Sequence, residues 1–570
     1  MKKNYFLILL FLPLIGITQT AFTSGIIPDL SAYGETTNYA GEGEYQIFLS
    51  DDNILDKPII LIDGFDIGNT RDINGIYSLL DFAGTSGTQN LADLVRAEGF
   101  DVVILNFPVY MRAADGATVD GGTDFIERNA MLLVELLDII NTAKASNSPE
   151  QNVIIGPSMG GLVARYALNY MEANTLNADT RLYISFDAPH LGANVPIGLQ
   201  HQLNYIAFND LNPVAELQPL IETFFKSPAS RQLIIDHFES HLESGSIVDF
   251  DPAATLPEPH PFRTIFDNSI NSFTTDGFPQ NTRNVAIING SGIGSPYFAA
   301  DGVTPVANGF TIINTTIPVD TGSAIIGVID VEIEINMTPN SGTHAQVSRF
   351  FAPLFPPIIP NIESIANSGT TNFDGVDAAP GGLFDISTLT SDLGTGNPLI
   401  SDFLDALSID KFSYIPSVSA LALEITSEAT DDDINWFHTI DLDGRATTNN
   451  TPFDNSFLPD NNEPHVQLTE ANVNFALAEI LTPPLDIPEN RYDFYRLEKN
   501  PVQQELVVLS SKNIKAVISI IDISGKTVFS NAMKLNNRTP ISLDLASGFY
   551  LLNIKAKDGS DSTIKFLINR

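Results

Sequence analysis

A serine hydroxyl becomes a useful nucleophile when a sharp turn projects it and a nearby base takes its proton. Gly156-Pro157-Ser158-Met159-Gly160 offers such a serine. The Gly-x-Ser-x-Gly pattern is weak by itself, because Gly makes up ~7% of ordinary chains and an ordinary tight turn can carry the same residues. Its surroundings add weight. Asn152-Val153-Ile154-Ile155 reads as a fully buried strand entering the pentapeptide, and Leu162, Val163, Tyr166, Ala167 and Tyr170 place apolar groups at helical spacing on the way out. The glycines flanking Ser158 remove side chains where a strand-to-helix turn brings backbones close. Ser158 is therefore the candidate nucleophile.

The elements around it repeat one pattern. Residues 45–49 suggest an edge strand, 58–62 a buried strand, 75–97 a helix, 101–105 another buried strand and 125–143 an amphipathic helix. After the Ser158 strand and helix come apolar runs at 181–186 and 284–288. Near-continuous apolar strands alternating with helices predict a mostly parallel sheet covered on both faces, so the fold class is α/β. Residues 195–280 break into short helical and Pro-rich pieces between two sheet strands, which predicts an inserted cap. A β-rich insertion is expected over about 300–345, and the Gly-, Pro-, Asn- and Ser-dense stretch 338–400 predicts little regular structure.

Gly156 to Tyr166, together with Asp187-Ala188-Pro189-His190-Leu191-Gly192-Ala193-Asn194, resembles the lipase and esterase branch of the α/β-hydrolase superfamily. The likeness covers about 55–290 well and 400–482 loosely. It implies an α/β-hydrolase fold and ester hydrolysis without a cofactor, with the triad in the chain order Ser, Asp or Glu, His.

Eight histidines are available, five of them early or inside the presumed cap: His190, His201, His237, His241 and His260. Of the remaining three, His465 is preferred as the base. It lies in the loop Asn461-Asn462-Glu463-Pro464-His465 ahead of the last predicted helix, 469–481, where this fold keeps its base. His344 is the alternative, and His438, beside Trp436 and Phe437, reads as a packed residue. Three acids compete. Asp454 comes first, one loop before His465 and within a segment, Thr451-Pro452-Phe453-Asp454, similar to those of large exported esterase-like proteins. Asp410 comes second, preceding Tyr414-Ile415-Pro416, and Asp187 third, following a sheet strand. Any of them could be a turn or capping aspartate. Oxyanion donors are expected from the Met159 amide and from the Phe65 amide, since Gly64-Phe65 occupies the place of the lipase His-Gly-x segment. Asp63 stands where many lipases have His, a departure that concerns the hydrogen bonding of this loop.

The chain has 570 residues and a net charge of −40, too long for one ordinary core. Residues 490–570 carry 12 of the 29 Lys and Arg against seven Asp and Glu, leaving −45 for the rest. So acidic a body repels nucleic acid, and its simplest role is a solvated surface. Met1-Lys2-Lys3-Asn4 followed by an uncharged apolar run to Ile17 predicts a signal peptide over 1–24, cut between Gln19 and Gly25. No cysteine is present, so neither disulfides nor thiol chemistry hold or serve this exported chain. Asp51-Asp52 and Asp431-Asp432-Asp433 read as solvated turns, nothing has zinc-ligand spacing, and no phosphate-loop lysine or dinucleotide fingerprint occurs, so neither metal nor cofactor is expected.

The end of the chain shows short strands separated by Gly, Asn and Lys clusters, which predicts a small antiparallel sandwich. Asn500-Pro501-Val502, Ile521 to Lys526, Ser547-Gly548-Phe549-Tyr550 and Lys565-Phe566-Leu567 resemble the sorting domain of type IX secretion. That likeness implies export across the outer membrane, with the secretion machinery as partner, and an address without a catalytic role. The expected organisation is signal peptide 1–24, α/β-hydrolase domain 25–485 and sorting domain 490–570. The expected function is an exported serine hydrolase of carboxylic esters, whether lipid, polysaccharide ester or polyester. The alternatives are a catalytically inert hydrolase-like surface protein that binds or adheres, and an amide hydrolase.

Overall fold

The computed structural model describes residues 19–85, 87–210, 213–320, 326–354, 358–390, 398–423, 431–439, 451–481, 495–500, 502, 505–510, 513–522, 525–557 and 561–569. The chain divides into two compact units, Met1–Leu481 and Thr482–Arg570. The apolar run expected to be a signal peptide lies outside the described residues.

The first unit is built on eight strands: β1 (Thr20–Thr23), β2 (Glu42–Phe48), β3 (Pro58–Ile62), β4 (Asp101–Asn106), β5 (Asn152–Pro157), β6 (Thr180–Phe186), β7 (Arg283–Ile287) and β8 (Asn455–Phe457). They lie in the order β1-β2-β4-β3-β5-β6-β7-β8. β1 and β2 are antiparallel, as are β2 and β4, and every other pairing is parallel. β2 is not the edge predicted for it, because β1 pairs outside it.

The inner strands are apolar throughout because both their faces are covered. Ile60, Ile62, Val103, Leu105 and Ile154 face one core with α2 (Ile126–Lys144) and α3 (Met159–Ala173). Their alternates Ile59, Leu61, Val102, Ile104, Val153 and Ile155 face a second core with α1 (Leu91–Ala97) and α5 (Glu470–Leu481). The period-2 alternation of a strand thus divides one apolar run between two helical layers. This is the α/β-hydrolase sheet.

Two further readings of the sequence need correction. Residues 75–97 are not one helix: Ile73–Ser78 and α1 are separated by a hairpin, Asp81–Gly84 with Gly87–Asn90, whose turn Gly87 takes at φ 111°. Within 338–400, His344–Ala352 and Ile362–Gly369 are strands, completing an antiparallel four-stranded sheet with Thr311–Asp320 and Val328–Asn336. Asn340 to Thr343 turn between two of these strands, and the pairing of the last two shifts register between Gln346 and Ser348. Between β6 and β7 the insertion contains α4 (Ile197–Phe208), which packs under this sheet, with His201 Nδ1 2.9 Å from the Ser348 hydroxyl. A further hairpin pairs Gly381–Asp385 with Lys411–Pro416.

In the second unit, Tyr495–Leu497, Glu505–Ser510 and Thr539–Ser542 form one sheet. Ile514–Asp522, Thr527–Leu535, Gly548–Ala556 and Asp561–Ile568 form another. Leu506, Val508, Ile518, Ile520, Leu552, Ile554 and Phe566 are buried between them, which makes a β-sandwich.

Candidate active site

Ser158 joins β5 to α3 with φ 52° and ψ −132°, a strained conformation for a residue with a side chain. The turn is held from both directions. Ser158 N–H donates to Phe186 O at 2.9 Å. A Cβ on Gly156 would come within 2.6 Å of Gly160 O, and one on Gly160 within 2.8 Å of Asp63 O, so neither position admits a larger residue. Strain and the absence of side chains together aim the hydroxyl above the carboxyl ends of the parallel strands, where open α/β sheets place their ligands.

His465 meets that hydroxyl from the loop between β8 and α5, its Nε2 2.9 Å from Ser158 Oγ. Its Nδ1 lies 2.7 Å from Asp187 Oδ2. A carboxylate only accepts, so Nδ1 carries the hydrogen and Nε2 is left to receive the serine proton. The loop is fixed by backbone: His465 N–H donates to Leu383 O at 2.8 Å and Leu383 N–H to Glu463 O at 2.9 Å. The Tyr414 ring stands edge-on to the imidazole at 5.2 Å.

Asp187 follows β6 directly, at φ 47°, and is fully buried. Its backbone N–H donates to Ile287 O at 2.7 Å, and its Oδ1 accepts from Asn289 N–H at 3.0 Å. The Asn289 side chain continues the chain of contacts, donating to Glu463 Oε2 and to Gln467 O, each at 2.9 Å. One residue thus touches both the acid and the histidine loop. Burial raises the Glu463 carboxyl above its ordinary value, opposed by the Asn289 hydrogen bond. Gly382 lies directly over the acid, where a Cβ would fall 2.0 Å from Asp187 Oδ2.

Asp454 and Asp410 do not reach His465. Asp454 precedes β8, which runs parallel to β7, so it sits at the amino end of the sheet, opposite the edge bearing Ser158 and Asp187. There its Oδ2 accepts from Asn284 N–H at 2.9 Å. Asp410 is exposed beside Lys411, 3.6 Å away. His344 is bonded to the Thr255 hydroxyl at 2.9 Å. The sequence contained a signal for the partner of His465: Asp187 and Ser158 both follow a buried strand at its carboxyl end. Nothing local in the sequence marks Asn289, Glu463 or Gly382, because each matters through chain brought in from elsewhere.

The loop after β3 lies against the serine, a Cβ on Gly64 being 3.2 Å from Ser158 Cβ. Met159 is the first residue of α3, ahead of the first intrahelical donors, so its N–H is available at the turn. Asp63 is buried and pairs with Arg71 at 3.2 Å. Burial pushes its carboxyl up to about 6 against the pull of the Arg71 guanidinium. Phe224, from the insertion, packs edge-on to Phe65 at 5.4 Å. Among the described residues no three His, Asp or Glu are grouped to hold a metal ion.

The family described as PGAP1-like alpha/beta domain matches residues 54–216, which include Phe65, Ser158 and Asp187. The secretion system C-terminal sorting domain matches 500–569. No curated protein matches the chain. Among solved structures, dimeric latent PorU from Porphyromonas gingivalis is 19% identical over 13% of this chain and 9% of its own, with a TM-score of 0.11. An α/β serine hydrolase without a lid, from Xanthomonas campestris, is 14% identical over 31% of this chain and 65% of its own, with a TM-score of 0.19. Est1E from Butyrivibrio proteoclasticus is 10% identical over 43% and 73%, with a TM-score of 0.21. This chain therefore spans less than two thirds of the first two. Likenesses of this size carry no chemistry; the family matches and the sheet define the class. The chain joins an α/β-hydrolase domain to a type IX secretion sorting domain. It is a hydrolase-like protein addressed to the cell surface or the medium.

Proposed function

We propose that this chain is a serine hydrolase of carboxylic esters that works through an acyl-enzyme on Ser158. One observation carries the reading: Ser158 Oγ, His465 and Asp187 are joined in series by contacts of 2.9 and 2.7 Å, with the serine on a strained strand-to-helix turn. Ser158 Oγ attacks the ester carbonyl carbon while His465 Nε2 takes its proton. Asp187 accepts from Nδ1 throughout, which fixes the tautomer and offsets the positive imidazole. The carbonyl oxygen becomes an oxyanion facing the Met159 and Phe65 amides, each worth roughly 3 to 4 kcal/mol of barrier in such sites. Collapse breaks the bond to the alkoxide, which leaves with the proton held by His465. Water then attacks the acyl-serine by the same route, returning the serine and releasing the acid.

The reading includes a signal peptide ahead of β1 and a substrate that is a lipid, polysaccharide ester or polyester. Replacing Ser158 by Ala should abolish turnover of short p-nitrophenyl esters while the melting temperature stays within a few degrees of wild type. Turnover retained by S158A would refute the proposal.

A further inference from the structure

The loop after β3 departs from the lipase pattern at Asp63, and its internal contacts give that departure a purpose. Arg71 NH2 reaches Asp63 Oδ1 at 3.2 Å and, with the same nitrogen, donates to Phe65 O at 2.7 Å. The next peptide is held too: Asp66 N–H donates to Gly122 O at 3.2 Å, while the Asp66 carboxylate accepts from Arg71 N–H at 2.9 Å and from the Thr70 hydroxyl. The carbonyl and amide that follow the Phe65 N–H are thereby occupied, and among the described residues that N–H itself has no acceptor. The peptide that follows this donor is tied on both of its polar atoms, and the donor lies one residue from Gly64, which packs against Ser158.

We infer that Arg71 is a positioning residue, its guanidinium bridging Asp63 to the Phe65 carbonyl so that the Phe65 amide is aimed at the oxyanion. The inference rests on the serine-hydrolase reading above. Asp63 supplies a buried anion that keeps Arg71 bent into the loop, and Arg71 carries that anchor to the peptide next to the donor. A His at position 63 could not hold a guanidinium in this way, so aspartate and arginine act as one unit. The pair orders a donor without touching substrate. Its loss should therefore weaken transition-state binding while substrate binding is kept.

The test measures kcat and KM on a p-nitrophenyl ester for wild type, S158A, R71M, R71K and the double variant D63N/R71M. R71M leaves Asp63 buried without its cation; the double variant removes that charge and keeps the protein folded, as a thermal melt would verify. Removing one oxyanion donor costs roughly 100- to 1,000-fold in kcat, and a donor left in place but misaimed roughly 10- to 100-fold. We expect R71M and D63N/R71M to lose about that smaller factor in kcat with KM within about twofold, and R71K, whose ammonium can replace the single bridging nitrogen, to recover most of it. Wild-type kcat in the folded double variant would overturn the inference, since Arg71 would then serve only to neutralise Asp63. A loss appearing in KM alone would overturn it as well. Activity retained by S158A would instead sink the serine-hydrolase reading, so the two failures are distinguishable.

Discussion

Asp187 and Asp454 differ chiefly in which end of a parallel strand they occupy. Asp187 comes after β6 and Asp454 before β8, so only the first can share an edge with Ser158. Chain proximity to His465 pointed to Asp454, whereas strand polarity puts Asp187 on the edge it shares with Ser158 and within 2.7 Å of His465 Nδ1. In the proposed reaction D187N should lower kcat by roughly 1,000- to 10,000-fold, as expected when the acid no longer fixes the histidine tautomer. D454N should leave kcat within about twofold, any effect appearing in the melting temperature because the Asn284 N–H then meets a neutral amide oxygen in place of a carboxylate. Equal losses from both would contradict this assignment. Gly382→Ala tests the same carboxylate from above. A methyl where Asp187 Oδ2 now sits must displace the acid or the Gly381–Asp385 strand, and at least a tenfold fall in kcat is expected.

Among the elements, those with a strong period were legible and those that depend on partners were not. The strands 58–62, 101–105 and 181–186 and the helix ending at Leu481 follow from their apolar pattern, because burial on both faces leaves a run without gaps. The break in 75–97 and the strands within 338–400 were hidden, since a turn in one and distant partners in the other override local preference. Gly382 and the Leu383 carbonyl, which hold the acid and the histidine loop, belong to that same hidden stretch. The insertion between β6 and β7 carries a buried pair of its own, His241 Nε2 lying 2.6 Å from Asp236 Oδ1. Burial disfavours the imidazolium, but the Asp236 carboxylate outweighs it and pushes the His241 pKa up to about 9. A histidine raised in the fold contributes fully below its unfolded value near 6.5 and loses that contribution as pH climbs through about 9. At ~1.4 kcal/mol per unit the shift corresponds to roughly 3 kcal/mol. Melting temperature should therefore fall between pH 6.5 and 9 in wild type, whereas D236N should start lower and stay flatter. Parallel curves would rule out this linkage.

For the whole molecule, the division of labour follows the division of the chain. Every residue of the candidate site lies within Met1–Leu481, and the sorting domain lies within Thr482–Arg570. A chain ending at Leu481 should retain ester hydrolysis within about twofold and lose export, measured by activity in medium against cells. No helix among the described residues is long and apolar enough to cross a membrane. At the other end, β1 pairs with β2 from Thr20, with Gln19 also bonded to Glu44. Removal of a signal peptide is then expected at or before Thr20, and mass spectrometry of the exported protein would read that terminus. A start beyond Thr23 would mean that β1 is discarded. The central claim, that Ser158 is an activated nucleophile, is tested most directly by intact and peptide mass after exposure to a fluorophosphonate. The account predicts one adduct, on the peptide containing Ser158 and absent from S158A; no adduct on the folded wild-type protein, or one that persists in S158A, would contradict it.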